Sequence, residues 1–452
     1  MTALGFVFLA LYVVSLRWGR VGIASVMALS IGFADSAMVN VGPVSFSPYY
    51  FGALLIVLFT LVLAVMGRRP LAQSRTVLIL WVWAGVVTIL GPILFAGIPV
   101  ISSAIGLDQQ VDNPSSLGFS ISNVAQLGYL TINLVVLLAA MRSRLVRSAA
   151  VSAGLGLGVA VALSEPLSRI VRLSWPADFF HNSERGFYTT EVARTSAQFS
   201  EPSHLGAFAA VASVYFAVMI VTADARRSRV AAVVGTVASG AALAASGAAT
   251  GYAGAAIVAG GLALWGVWRL LRRRFAVKIP MPWLVAFSVL TPFVLLVGPI
   301  LAAKEILELN AVKEATGSSD NRAFVDVHGL AVLFDTYGIG AGLGANRTSS
   351  LLPLLLSTIG ILGTVLVIVL FVRVLRNGWS LPGRRPAAFA LLTYLAAAVV
   401  SFADFTNPML WALLTLLAGA ARVPGGSRLS NESKEVRAEP SSAELGTSSS
   451  SS

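Results

Sequence analysis

From Thr2 to about Arg422 the chain is a succession of apolar runs joined by short, mostly basic links. Many runs approach or exceed the ~20 residues that carry a helix across a bilayer. This feature restricts the fold more than any other. Lipid offers no partner to a peptide N–H or C=O, so each run must satisfy its backbone internally, as a helix does. Only 12% of the residues are charged and 56% are apolar, against the ~25% charge of an ordinary soluble chain. The expectation is an all-α polytopic membrane protein.

Candidate helices lie near 2–16, 21–38, 48–66, 76–98, 118–141, 149–165, 204–222, 230–247, 251–268, 281–303, 349–372, 387–402 and 409–421. That gives about 13 spans, with 12–14 as the range. The 230–268 region is so rich in Gly and Ala that it reads as two close-packed or broken helices. The first run, Thr2 to Leu16, lacks a basic leader and a small-residue cleavage site, so it reads as a retained helix. Residues 1–422 form the transmembrane domain, and the polar, serine-ended stretch 423–452 reads as a disordered cytoplasmic tail.

Cytoplasmic loops carry an excess of Lys and Arg. With the N-terminus outside and the C-terminus inside, all but eight of the 32 basic residues fall in inside segments. The eight are Arg169, Arg172, Arg185, Arg194, Lys304, Lys313, Arg322 and Arg347. They occupy two long outer loops, 166–203 and 304–348. The net charge of +12 is thus spread through membrane links, with no basic, aromatic-interleaved patch to suggest nucleic acid. The absence of cysteine excludes disulfides, thiol catalysis and cysteine-bound zinc. No histidine pair at helical ligand spacing and no Asp-x-Asp pair suggests a metal.

Loops of this length are usually functional or disordered, and the three histidines, His181, His204 and His328, lie in them or at their edge. The first holds "WPADFFHNSERGFY", an aromatic, amphipathic stretch that suggests a helix on the bilayer surface. It ends in "RTSAQFSEPSHLGAF", from Arg194 to Phe208. Pro202 suits a first helical turn and Glu201 the positive end of the helix dipole, which explains both without function. Arg194 and His204 have no such explanation. The second loop allows a helix through Arg322, Phe324 and His328, capped by Ser319 or Asp320, with Arg322 and Asp326 on one face. Alternating glycines follow from Gly338 to Gly344, then Asn346 and Arg347. Such a run makes either a backbone that approaches something closely or a nest of N–H groups for an anion. Asp404 to Pro408 reads as a tight turn.

An arginine followed by F-x-E-P-S-x-x-G (Phe199 to Gly206) resembles the O-antigen polymerase and O-antigen ligase superfamily. So do the second loop's arginine, its G-x-G-x-G run, the G-I-L-G of the next helix (Gly360 to Gly363) and, more distantly, the small-residue turn "AASGAATGYAG". These segments cover about a tenth to a fifth of the chain. The resemblance implies a fold similar to other multi-helix membrane glycosyltransferases and a place in the cell's inner (cytoplasmic) membrane, with an extracytoplasmic site. It also implies transfer of a glycan from undecaprenyl pyrophosphate to a sugar hydroxyl, without metal, nucleotide or other cofactor. The lipid-linked glycan and membrane lipid are the implied partners, with a flippase and a chain-length regulator as associated proteins. Arg194 and Arg322 match the family's loop arginines, and Arg347 joins them as a third pyrophosphate ligand. Ligase members carry a His-Asn pair where this chain has Ser349 and Ser350, which favours the polymerase branch.

Guanidinium forks bind phosphate oxygens bidentately, and the acceptor hydroxyl needs a base. Glu201, His204 and His328 are the candidates for that base. A ligase, or a flippase for lipid-linked oligosaccharide, stands as the alternative. A transporter calls for charged residues within its helices, and here the ionisable groups concentrate in the loops.

Overall fold

Every apolar run that falls on described residues is helical. The computed structural model describes residues 1–42, 44–102, 114–184, 188, 194–272 and 318–419. The expected helix at 281–303, loop residues 304–317 and the tail 423–452 lie outside the described residues. The helices are α1 (Ala3–Ser15), α2 (Gly19–Leu29), α3 (Pro48–Val65), α4 (Arg75–Leu94) and α5 (Ile121–Arg142). After them come α6 (Ser148–Ile170), the single turn α7 (Ala177–Phe180), α8 (Pro202–Thr222), α9 (Arg226–Ser246) and α10 (Ala249–Arg272). The series closes with α11 (Ser318–Asp335), α12 (Leu351–Trp379), α13 (Arg385–Ser401) and α14 (Pro408–Ala418). Two short antiparallel hairpins, Val39–Val41 with Val44–Phe46 and Pro99–Val100 with Ser115–Ser116, are the described strands.

Among the described residues, eight segments are long and apolar enough to cross a membrane. Between 22% and 56% of the residues in their apolar windows are buried by protein. The remainder presents Leu58, Val62, Val65, Ile89 and Ile93 outward. Such faces are compatible with acyl chains rather than water. The fold is therefore that of an all-α polytopic membrane protein.

The first two expected helices, near 2–16 and 21–38, are present as separate arms, and two other boundaries differ from the sequence expectation for physical reasons. The segment Ala3–Phe33 counts as one long apolar stretch but is folded as a hairpin: Thr2 N–H donates to the Met38 carbonyl at 3.2 Å. Gly19, at φ +59°, makes its turn. α6 continues past Pro166 to Ile170, so the first loop begins later than expected. α11 starts at Ser318, which places Ser319 and Asp320 inside its first turn rather than at its cap. The Gly/Ala-rich region forms two helices, α9 and α10, joined at Gly247 in a left-handed conformation and packed against α8.

The alternating glycines settle into a close approach of backbones, not an anion nest. α12 is broken at Gly360, where φ is +68°. The break frees carbonyls and an N–H inside a membrane helix, where each unpaired group is costly. The glycine run supplies the partners. Ala341 and Gly342 N–H donate to the Ser357 and Thr358 carbonyls, both at 2.8 Å, and Ile361 N–H donates to the Gly338 carbonyl at 2.9 Å. Trp83 Nε1 covers the Ile359 carbonyl at 2.8 Å. The N–H groups of Gly340 and Leu343 are taken by Thr336 and Thr88 hydroxyls. A side chain would not fit: a Cβ on Gly340 would lie 2.6 Å from Gly360 N, and one on Gly360 would lie 2.2 Å from the Ile339 carbonyl oxygen.

Gly340→Ala and Gly360→Ala should each destabilise the protein by more than about 2 kcal/mol through backbone clash and left-handed strain. Gly85→Ala, with nothing within 4 Å of the new methyl, should be neutral or slightly stabilising. Thermal loss of the monodisperse size-exclusion peak measures this, and equal behaviour of the three would refute the close-approach account.

Candidate active site

The 3-10 turn Ser30–Phe33 ends the first hairpin and delivers Asp35 to the start of α8. Its loop is tied to the first long loop: the Asn182 side chain accepts from Ala37 N–H at 2.7 Å, and the Tyr188 hydroxyl donates to the Asp35 carbonyl at 2.9 Å. One Asp35 carboxylate oxygen, Oδ2, collects three bonds of 2.8 Å, from Ser200 N–H, the Ser200 hydroxyl and His204 Nδ1. Both side chains are largely enclosed, Asp35 at 17% exposure and His204 at 27%. Burial pushes the Asp35 carboxyl up, but positive charge on His204 and the bonds from His204 and Ser200 outweigh it and bring it down to about 2. A depressed carboxyl stabilises the fold above its unfolded pKa of about 4. That contribution fades as pH falls toward about 2.

His204 sits in the first turn of α8 because Pro202 occupies the first helical position and Glu201 the extended cap. The Glu201 carboxylate does not bond the helix N–H groups; Ser203 donates its hydroxyl to Glu201 Oε2 at 2.9 Å. The His204 ring meets Phe402 edge-on, centroids 4.9 Å apart. Phe402 follows Ser401, whose hydroxyl accepts from Arg322 at 2.7 Å. Arg194 precedes Thr195, whose N–H bonds the Ala245 carbonyl at the end of α9, and Gly206 of α8 abuts Ala248 just beyond. Arg194, Glu201, His204 and Arg322 therefore share one end of the bundle. A small opening there is lined by Asp35, His204, Asn407, Phe199, Phe402 and Met409 among others.

His328 and Arg347 take a different position. His328 Nε2 lies 3.0 Å from the Pro99 carbonyl oxygen, and Arg347 N–H donates to the Ile101 carbonyl at 2.8 Å. Both are tied to the Pro99–Ile101 segment rather than to Asp35. Ser349 and Ser350 cap α12 for Asp326, their N–H groups donating to Oδ1 at 2.7 and 2.9 Å. Among its described residues, the aromatic stretch of the first loop is helical over Ala177–Phe180. Trp175 stacks on Phe180, His181 stacks on Tyr188, and His181 Nε2 bonds the Ala197 carbonyl at 2.5 Å.

Two acidic residues of this end escaped the sequence reading. Asp35 is the only acid before Asp108, and an isolated acid ending an apolar run is the signal that could have found it. Asp404, expected to serve only its turn, also acts electrostatically on His204 and Asp35. Burial, first, raises its carboxyl above the usual range, against bonds from Thr406 and Asn407.

No family model and no curated protein matches the chain. Fold and site together define a class: a polytopic helical membrane protein with an acid–histidine pair and arginines gathered at one end.

Glu165, near the end of α6, holds the loop that carries Ser200. Its Oε2 accepts from Ala197 N–H at 2.6 Å, and its other oxygen pairs with Arg169. Ala197 sits at φ +48°, a strained value for alanine. Removing a charged acceptor costs about 1.5–3 kcal/mol. Glu165→Ala should therefore speed tryptic cleavage after Arg194 by roughly tenfold or more, with the global melting temperature little changed. Cleavage at the wild-type rate would show that Glu165 does not hold the loop.

Proposed function

We propose that this protein is a membrane glycosyltransferase that polymerises undecaprenyl-pyrophosphate-linked oligosaccharide repeat units into a surface polysaccharide. The active site is the Asp35–His204 end of the bundle, on the extracytoplasmic face of the cytoplasmic membrane. The observation that carries the reading is the Asp35–Ser200–His204 cluster, built at the end of the motif that resembles the polymerase superfamily and flanked by Arg194 and Arg322. An N-out, C-in orientation is supported by the opposite end, where Arg147, Arg384 and Arg385 lie at helix starts. Arg384 there donates to the Leu417 carbonyl at 3.0 Å.

The charges assign the roles. With Asp35 ionised at its side, His204 joins Arg194 and Arg322 as a cation that neutralises the departing pyrophosphate. Glu201, whose carboxylate accepts from the Ser203 hydroxyl, takes the proton of the acceptor hydroxyl. The bond from the sugar anomeric carbon to the pyrophosphate oxygen breaks as the acceptor oxygen forms its own bond to that carbon. Undecaprenyl pyrophosphate leaves as the product. Arg347 and His328, seated on the Pro99–Ile101 segment, contact the glycan or carrier away from the reacting atoms. The ligase alternative is disfavoured by Ser349 and Ser350, which cap α12 through Asp326.

Purified protein in nanodiscs, given a lipid-linked repeat unit without metal, should produce a ladder of longer lipid-linked glycans on a gel that resolves chain length. Glu201→Gln should slow elongation by about 10²–10⁴. Arg194→Ala should lower it at least tenfold, with Arg194→Lys restoring only part because ammonium lacks the bidentate fork. Transfer only to a different acceptor would establish the ligase instead. Movement of the lipid across the bilayer without glycan transfer would overturn the enzyme reading.

A further inference from the structure

α11 is built inside out. Toward the bundle it turns Arg322 and Asp326 together with Val325, Gly329 and Val332. Arg322 reaches Ser401 at the end of α13, and Asp326 holds the start of α12. On the opposite face, positions 324, 327, 331 and 334 form a stripe at helical spacing. That face carries Phe324, Val327, Ala331 and Phe334, with Leu330 alongside. Val327 is 67% and Phe334 74% exposed. A helix lying on a protein in water shows the reverse arrangement, apolar inward and polar outward. Here Arg322 and Asp326 are bonded to the bundle, whereas Val327 and Phe334 stand about two-thirds or more uncovered, with the exposed Asp335 closing the helix beside them.

The stripe is also continuous with the outward apolar faces of the spanning helices. Tyr337, just past α11, lies 6.4 Å from the Phe95 ring at the end of α4. Gly338 abuts Ile361 of α12, which is itself 55% exposed. One apolar surface thus runs from α4 and α12 onto α11.

We propose that α11 is embedded in the bilayer, its Phe324–Val327–Phe334 face in contact with acyl chains. Its 18 residues span about 27 Å, so it lies in the leaflet beside the Asp35–His204 end as a lipid-facing wall rather than as part of a water-exposed loop. The inference needs only the membrane fold and is independent of the transferase reading. Its consequence is a sandwich: lipid on one side of α11 and, on the other, the Arg322 and Asp326 contacts that fix the ends of α13 and α12.

The chain contains no cysteine, so Val327→Cys and Phe334→Cys each introduce a unique thiol at an exposed position that folding does not require. Each variant is spin-labelled in lipid nanodiscs, and power saturation is read with oxygen, which partitions into lipid, and with a water-soluble nickel chelate. Ser380→Cys, in an exposed turn, serves as the aqueous reference. The expected result is an oxygen-to-nickel accessibility ratio several-fold higher at both positions than at the reference. A ratio equal to the reference would place the face in water, and low accessibility to both reagents would place it under protein. Either result overturns the proposal. Elution of each variant with the wild-type profile excludes misfolding as the cause.

Discussion

A carboxylate at the rim of an apolar bundle has to be paired, because an uncompensated charge there costs several kcal/mol. Asp35 meets that demand with Ser200 and His204, and the pairing sets the geometry around it. It draws the end of the first hairpin, the turn before α8 and the first turn of α8 to a single oxygen. The same loop is held from its other side by Glu165 and by His181 at Ala197. What surrounds Asp35 is therefore fixed from two directions, and a flexible loop becomes a rigid lip.

The second organising constraint is the break in α12. A helix interrupted at Gly360 would strand polar backbone in lipid, and the glycine run answers it atom by atom. Because the run is the continuation of α11, satisfying the break also brings α11 against α12. Asp326 then closes the start of α12 from the same helix. The two motifs, one before α8 and one before α12, are each solved structurally by backbone hydrogen bonds. The local folding of both motifs is thus carried largely by backbone groups.

The helices were legible because lipid leaves an apolar run little choice: the runs now seen as α3, α5, α8 and α12 follow from length and hydropathy alone. The doubling back of Ala3–Phe33 was legible too, since Arg17 and Arg20 divide the run into two arms; the Thr2–Met38 contact that closes it was not. Glu201 and His204 stood out through their position at a helix entry. Asp35 did not, because its partners lie 165 and 169 residues away and no local pattern announces such a contact. The glycines showed that something unusual occurs at 338–344, but a close approach and an anion nest share the same spacing. Only the partner carbonyls at Ser357 and Thr358 separate them.

If Asp35 and His204 act as one unit in the proposed glycan elongation, a double-mutant cycle shows it, with elongation rates compared for wild type, Asp35→Asn, His204→Gln and the double variant. A coupled pair predicts a double variant about as slow as the slower single one, since either change already dissolves the charged pair. Losses that multiply would show two independent residues, and would contradict a site organised around their contact.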